Sequence, residues 1–276
     1  MSENHSLLQL RGVCKTFSKG TIDEVTALHN INLDVNAEDF VTIIGSNGAG
    51  KTTLLNAIAG VYPPERGGQI TINGDDVTNL SEHRRAQYAG RVYQDPHIGT
   101  AAKMTIEENL SLALLRGHSR GLGIACNKKR RQLFQKALAL LGLGLESRLS
   151  APVGTLSGGQ RQALALVMAT ISKPAILLLD EHVATLDPRT AETVLQLSNT
   201  IVQHEKMTTM MVTHNMEVAL RYGNRLIMMH KGRIVVDIGE ARKNTLGIND
   251  LITAFERAAG EEFKDDSILL SRSEYQ

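Results

Sequence analysis

Gly45-Ser46-Asn47-Gly48-Ala49-Gly50-Lys51-Thr52 follows the apolar run 40–44 and opens a run of helix formers, 51–59, that ends at Gly60. The first run reads as a strand and the second as a helix with a glycine C-cap. The octet between them fits the pattern G-x-x-x-x-G-K-[ST] in the context that pattern requires. Its glycines let successive backbone N–H groups turn inward around phosphate oxygens, and the helix opening at Lys51 adds the positive end of its dipole. Lys51 then neutralises the β- and γ-phosphates of a nucleotide, the Thr52 hydroxyl is placed for Mg2+, and Thr53 is grouped with the same site. The competing reading is a glycine turn that binds nothing, and the flanking strand and helix weigh against it.

On the N-terminal side, runs 6–13 and 26–35 carry β-branched and apolar residues, as does 69–72 before the turn Asn73-Gly74. These read as strands. From about residue 95 to 160 the pattern turns mainly helical, with helices predicted over 105–115 and 128–141 and punctuation at Gly142, Gly144, Pro152 and Gly154. Beyond it, helices are predicted over 157–170 and 188–203, and short strands over 175–179, 208–212, 225–229 and 233–236. Strands alternating with helices indicate an α/β fold with a largely parallel sheet covered on both faces. No internal repeat is evident, so one nucleotide site per chain is expected.

Composition sets bounds on function. The 276 residues are 42% hydrophobic and 21% charged, an ordinary globular balance, and a net charge of +1 gives no global reason to bind nucleic acid or an acidic surface. The one dense basic run, Lys128-Lys129-Arg130-Arg131, reads as a solvated helix start, with a membrane or partner contact as the alternative. Cys14 and Cys126 are too few for a disulfide framework, which suits a reducing compartment, and the polar start Met1-Ser2-Glu3-Asn4-His5 lacks the apolar stretch of a signal peptide. The longest apolar stretch, 163–171, is about half of the roughly 18 residues a membrane span needs.

Two further motifs carry chemistry. Ile176-Leu177-Leu178-Leu179-Asp180-Glu181 is an apolar strand ending in two carboxylates. Asp180 is a candidate Mg2+ ligand and Glu181 a candidate for polarising an attacking water, with strand alternation aiming the two at different targets. An ordinary acidic strand end is the bland alternative. Leu156-Ser157-Gly158-Gly159-Gln160 precedes a predicted helix and offers a second phosphate nest of hydroxyl, glycine N–H groups and helix N-terminus, with a serine N-cap and glycine turn as its alternative.

With both motifs in this order, the chain resembles the ATP-binding cassettes of ABC transporters from its start to about Gly239. That resemblance implies a P-loop NTPase core with an N-terminal antiparallel β subdomain and an inserted α-helical subdomain, spanning residues 1–240, followed by a tail, 241–276. It implies ATP and Mg2+ as cofactors, and it makes Leu156 to Gln160 the signature that contacts the nucleotide of a second cassette. Phe17 matches the aromatic that stacks on adenine, the alternative being a core aromatic. Gln94 in Val92-Tyr93-Gln94-Asp95-Pro96 resembles the glutamine that reaches Mg2+ or water. Asp187 closes Ala184-Thr185-Leu186-Asp187, which resembles the D-loop, and His214 resembles the histidine that contacts the γ-phosphate. One position departs from the pattern: the family commonly has proline after the catalytic glutamate, and this chain has His182. It is read as a surface histidine, the alternative being a second proton donor beside Glu181.

The function implied is ATP hydrolysis energising transport through separate membrane subunits, with the chain pairing as a dimer on the inner face of the cell membrane. ABC-type repair proteins place long coiled coils between the first motif and the signature, and translation-factor relatives carry two cassettes in one chain; neither feature is present. A small-molecule kinase would not need residues 156–160. Tyr93-Gln94-Asp95-Pro96 with Gly99-Thr100, and Asp180-Glu181-His182, resemble importer cassettes that work with a separate solute-binding protein for amino acids or small organic solutes. Export or lipoprotein extraction is the alternative.

Overall fold

The computed structural model describes residues 6–117 and 127–259. Its strands in chain order are β1 (Ser6–Phe17), β2 (Val25–Asn36), β3 (Phe40–Gly45), β4 (Gln69–Ile72), β5 (Asp75–Asp76), β6 (Ala89–Val92), β7 (Ile176–Asp180), β8 (Thr208–Val212), β9 (Arg225–His230) and β10 (Arg233–Ile238). Its helices are α1 (Lys51–Ala59), α2 (Glu82–Arg85), α3 (Ile106–Leu114), α4 (Lys128–Ala139), α5 (Gly158–Thr170), α6 (Pro188–Glu205), α7 (Met216–Arg221), α8 (Glu240–Lys243) and α9 (Ile248–Ala259). The chain divides into two units, residues 1–80 with 208–276, and residues 81–207. The helical insert expected at 95–160 lies within the second. Cys126 and residues 1–5 fall outside the described residues, as does the part of the expected tail beyond 259.

In the first unit, β2, β1, β4 and β5 form an antiparallel sheet in that order. A half-buried alternation explains it: Leu8 and Leu10 of β1 and Leu33 and Val35 of β2 are buried while their neighbours are not. The other strands differ. All six residues of β3 are buried, as a strand covered on both faces requires, and β3 runs parallel to both β8 and β9, with β10 antiparallel on β9.

No motif lies beyond residue 240, where the sequence pattern places the end of the cassette. The core does not stop there. Leu251 and Phe255 of α9 are buried in one cluster with Ile44, Met216, Leu226, Met228 and Ile238, so α9 packs as part of the first unit rather than trailing from it. Lys243 of α8 is also buried, donating its ammonium to the carbonyls of Tyr222 and Gly223.

In the second unit, β6 and β7 pair in parallel from Ala89↔Ile176 to Val92↔Leu179. β6 went unpredicted because Ala-Gly-Arg-Val has little strand character. Gly90 is there for space, since a Cβ would lie 2.2 Å from the Ala169 carbonyl oxygen. The long apolar stretch is explained by α5, which is buried nearly all round; no helix among the described residues is long and apolar enough to cross a membrane. The basic run opens α4 as a largely solvated start, with Asn127 capping it and Arg131 forked onto Glu107 of α3 at 2.8 and 3.0 Å.

Candidate nucleotide-binding and hydrolysis site

Each unit carries part of the candidate set. In the first, the 45–52 loop joins the end of β3 to α1. Gly45 and Gly50 are fixed by close approach: a Cβ would lie 2.1 Å from the Met229 carbonyl oxygen at Gly45 and 2.3 Å from that of Ala27 at Gly50, where φ is +96°. Strand β9 and the chain at Ala27 therefore clamp the loop, and the Gly232 N–H adds a bond to the Ala49 carbonyl at 3.1 Å. As the N-cap of α1, Gly50 has no side chain to occupy the N–H groups of the first turn, which leaves that helix end suited to an anion. Lys51 is nearly buried and curls back, donating to the carbonyls of Gly45 at 2.8 Å and Ser46 at 3.0 Å. Ser46 and Ala49 are buried, whereas Asn47, Gly48 and Thr52 are exposed and Thr53 is half-buried.

His214 follows the C-terminal end of β8 beside the loop after β3, because Ile43 of β3 registers against Val212 of β8 in parallel. It is exposed, held between Thr213, whose N–H reaches the Ile43 carbonyl, and Asn215, which caps α7 through the Val218 N–H at 3.0 Å. Phe17 ends β1 and is half-buried rather than part of the core. Its ring meets Tyr62 edge-on at 5.2 Å between centroids, and the Lys15 ammonium lies 5.5 and 5.4 Å from the two rings. Tyr62 and Lys15 carry no signal in the sequence, since a pairing between a strand end and the segment after α1 leaves no local pattern.

In the second unit, Gln94 and Glu181 follow the paired ends of β6 and β7. Gln94 is exposed, and its carbonyl accepts from Thr185 at 3.5 Å. Asp180 is buried, with Oδ2 2.9 Å from Arg91 Nη2 on the neighbouring strand. Glu181 is not a further residue of that strand. Its φ is +45°, so the chain enters the left-handed region directly after Asp180, and the strand alternation expected to aim the two carboxylates apart does not extend to Glu181. Asp187 caps α6 by accepting from the Thr190 N–H at 3.1 Å, and hydrogen bonding from the Thr190 side chain first and its backbone second holds the carboxyl below the usual range.

His182 corrects the expectation of a surface residue. It is 1% exposed, its Nε2 lies 2.9 Å from Ser198 Oγ on α6, and burial pushes its pKa down to about 4. Being neutral and sequestered, it does not serve as a proton donor beside Glu181.

Ser157 caps α5: its Oγ accepts from the Gln160 N–H and the Gln160 Oε1 accepts from the Ser157 N–H, both at 3.2 Å. The hydroxyl proton is not used by that cap, and Ser157 and Gly158 are exposed. Gly159 has a packing reason to be glycine, because a Cβ would lie 2.2 Å from Thr190 Cγ2. Two residues after the motif also reach the Gln94 segment: Gln162 Nε2 donates to the Tyr93 carbonyl at 3.0 Å, and Arg161 Nη1 lies 2.6 Å from His97 Nδ1.

The family model for ABC transporters matches residues 28–184, from β2 through both carboxylates. The chain belongs to the ABC transporter family. It is an ATP-binding cassette and an ATPase. A tyrosine transport ATP-binding protein of Clostridioides difficile (strain R20291) is 43% identical over 252 residues, covering 91% of this chain and all of that protein. A methionine import ATP-binding protein of Pseudomonas syringae pv. tomato is 35% identical over 233 residues, 83% of this cassette and 66% of its relative. Among solved structures, a dimeric ATP-binding cassette in a post-hydrolysis state with ADP and Pi superposes with a TM-score of 0.72 at 29% identity, over 84% of this cassette and 98% of that chain.

Proposed function

We propose that this cassette, paired with a second copy and docked on membrane permease subunits, hydrolyses ATP to drive import of an amino acid. The observation that carries the reading is the loop at 45–52, clamped by β9 and by the chain at Ala27, with its lysine and an uncapped helix end at the C-terminal ends of the parallel strands β3 and β8. The tyrosine transport protein, of comparable length, and the methionine import protein support the amino-acid assignment, and the dimeric cassette supports the pairing. A separate solute-binding protein would deliver the cargo, and the permease would hold the cassette at the inner face of the membrane. The cassette proper would span 1–240 by motif, with α9 adding to its packed core.

In the hydrolytic cycle, Phe17 stacks on adenine with Tyr62 and Lys15 bracing its ring. The N–H groups of residues 45–53 cradle the phosphates, and Lys51 exchanges its loop carbonyls for phosphate oxygens. By the resemblance to the family, Thr52 of the first unit and Gln94 and Asp180 of the second would hold Mg2+; each is a hard oxygen donor of the kind that ion takes, and few protein ligands suffice because substrate phosphates complete its sphere. Bound there, Mg2+ would neutralise charge developing on the β- and γ-phosphates. Glu181 accepts the proton of the attacking water, His214 contacts the γ-phosphate, and Ser157 with Gly158, Gly159 and Gln160 of the second copy closes over it, while Asp187 orders the segment that meets the partner. The test is Glu181→Gln. It should keep ATP affinity while turnover falls by about 10² to 10⁴; turnover within threefold of wild type would remove Glu181 from the role.

A further inference from the structure

We infer that His182 is a positioning residue for Glu181, acting through a buried hydrogen bond to Ser198 where a proline commonly stands. The inference rests on the reading of Glu181 as the general base. Three observations on the second unit carry it.

The first is direction. Ser198 Oγ donates to the Val194 carbonyl one turn back at 2.8 Å, which uses its only proton. Toward His182, 2.9 Å away, Ser198 therefore acts as acceptor, and the imidazole Nε2 carries the hydrogen. The bonding network thus assigns one tautomer, and both partners are 1% exposed, so neither finds a substitute in water.

The second is strain. Glu181 at φ +45° occupies a region that costs a side-chain-bearing residue roughly 1–2 kcal/mol and persists only when its surroundings over-determine it. Upstream, Asp180 closes β7 and is tied to Arg91. Downstream, the Ala184 N–H closes a turn on the Glu181 carbonyl at 3.0 Å, and the His182 side chain is fastened to α6. Proline would stiffen this point through its ring; histidine does it through a hydrogen bond sixteen residues along the chain.

The third is connection. The segment between Glu181 and α6 runs directly into Asp187, the cap of that helix. Ser198 lies on the same helix, so the His182 bond ties the turn that sets the Glu181 carboxylate to the body of the element its own loop begins. A carboxylate misplaced by about 1 Å can cost on the order of a hundredfold in rate without altering substrate binding.

The experiment is steady-state ATPase on the full chain for His182→Ala, Ser198→Ala, the double variant and His182→Gln, with Glu181→Gln as reference. Gln sets an amide N–H near the Nε2 position and is the conservative rescue. Expected are a kcat loss of tenfold or more in each alanine variant, KM for ATP within twofold of wild type, a double variant no worse than the more severe single one, and recovery to within threefold in His182→Gln. Should His182→Ala not fold, Ser198→Ala and His182→Gln still decide. Wild-type kcat per folded molecule in Ser198→Ala, or loss of folded protein with no change in kcat, overturns the inference. If Glu181→Gln itself keeps its turnover, the general-base reading has failed; if it is inactive while the His182 and Ser198 variants are unaffected, only the positioning role has.

Discussion

Arg91 holds Asp180 in a buried ion pair: Nη2 and Oδ2 are 2.9 Å apart across neighbouring parallel strands, and the two side chains are only 9% and 8% exposed. The guanidinium also lies 4.5 Å from the centre of the Tyr93 ring, so it is fixed from two sides. The pair ties the carboxylate at the end of β7 to the neighbouring strand β6.

Breaking that pair from the arginine side should be costly. Arg91→Met is expected to destabilise the protein by about 3–5 kcal/mol, because it leaves a buried carboxylate without its guanidinium. Urea unfolding measures this, and a difference below about 1 kcal/mol would mean that Asp180 is held by its other surroundings.

For the aromatic pair, Phe17→Ala should weaken ATP binding by about 1–3 kcal/mol, the range for stacking on an aromatic side chain. Tyr62→Ala should cost about 0.5–1.5 kcal/mol, since it removes only the edge-on support at 5.2 Å. Calorimetric titration distinguishes the cases: unchanged affinity with a sharply lowered melting temperature in Phe17→Ala would make that ring structural.

Composite sites predict complementation. If Lys51 of one copy and Ser157 of the other close one ATP site, a heterodimer of Lys51→Ala with Ser157→Arg has one site with both lesions and one with neither. ATPase should recover toward half of wild type in isolated heterodimers. No recovery over either variant alone would sink the head-to-tail arrangement with independently competent sites.

The helix beyond the last motif should matter for stability. Phe255 is 1% exposed in the cluster with Ile44 and Met228, so Phe255→Ala is expected to cost about 3–5 kcal/mol. Thermal unfolding within about 1 kcal/mol of wild type would show that α9 contributes little to that core.

Lys243 gives a pH signature. Burial lowers its pKa from 10.5 to about 8, so between those values the unfolded chain binds more protons than the folded one. Stability from this group rises as pH goes from about 8 to 10.5, and below 8 the folded state carries the full penalty of the buried ammonium. Stability of wild type relative to Lys243→Met should therefore increase over that window; a flat difference would clear Lys243.

The elements around the motifs were legible in the sequence. β3, α1, β7 and α5 follow from unbroken apolar runs and helix-forming composition beside glycine loops, and their bounds come close to those predicted. α7 and α9 were not predicted, and β6 was too short and too mixed to stand out. α9 was hidden for another reason: with no motif past residue 239, its apolar face had no recognisable partner until β9 and β10 were in place.

By itself the sequence determined the family and the chemistry on offer, because phosphate binding depends on local backbone geometry that glycine spacing encodes directly. Residues 45–52, 156–160 and 176–181 each carry their meaning within a few positions. Tertiary structure alone decided what those groups rest on. Arg91 meets Asp180 from 89 residues away, Tyr62 braces Phe17, and His182 lies buried on Ser198 rather than at the surface. Each is a contact between separate elements, and a side chain's burial and hydrogen-bond partner are properties of the packed neighbours, which no local pattern records.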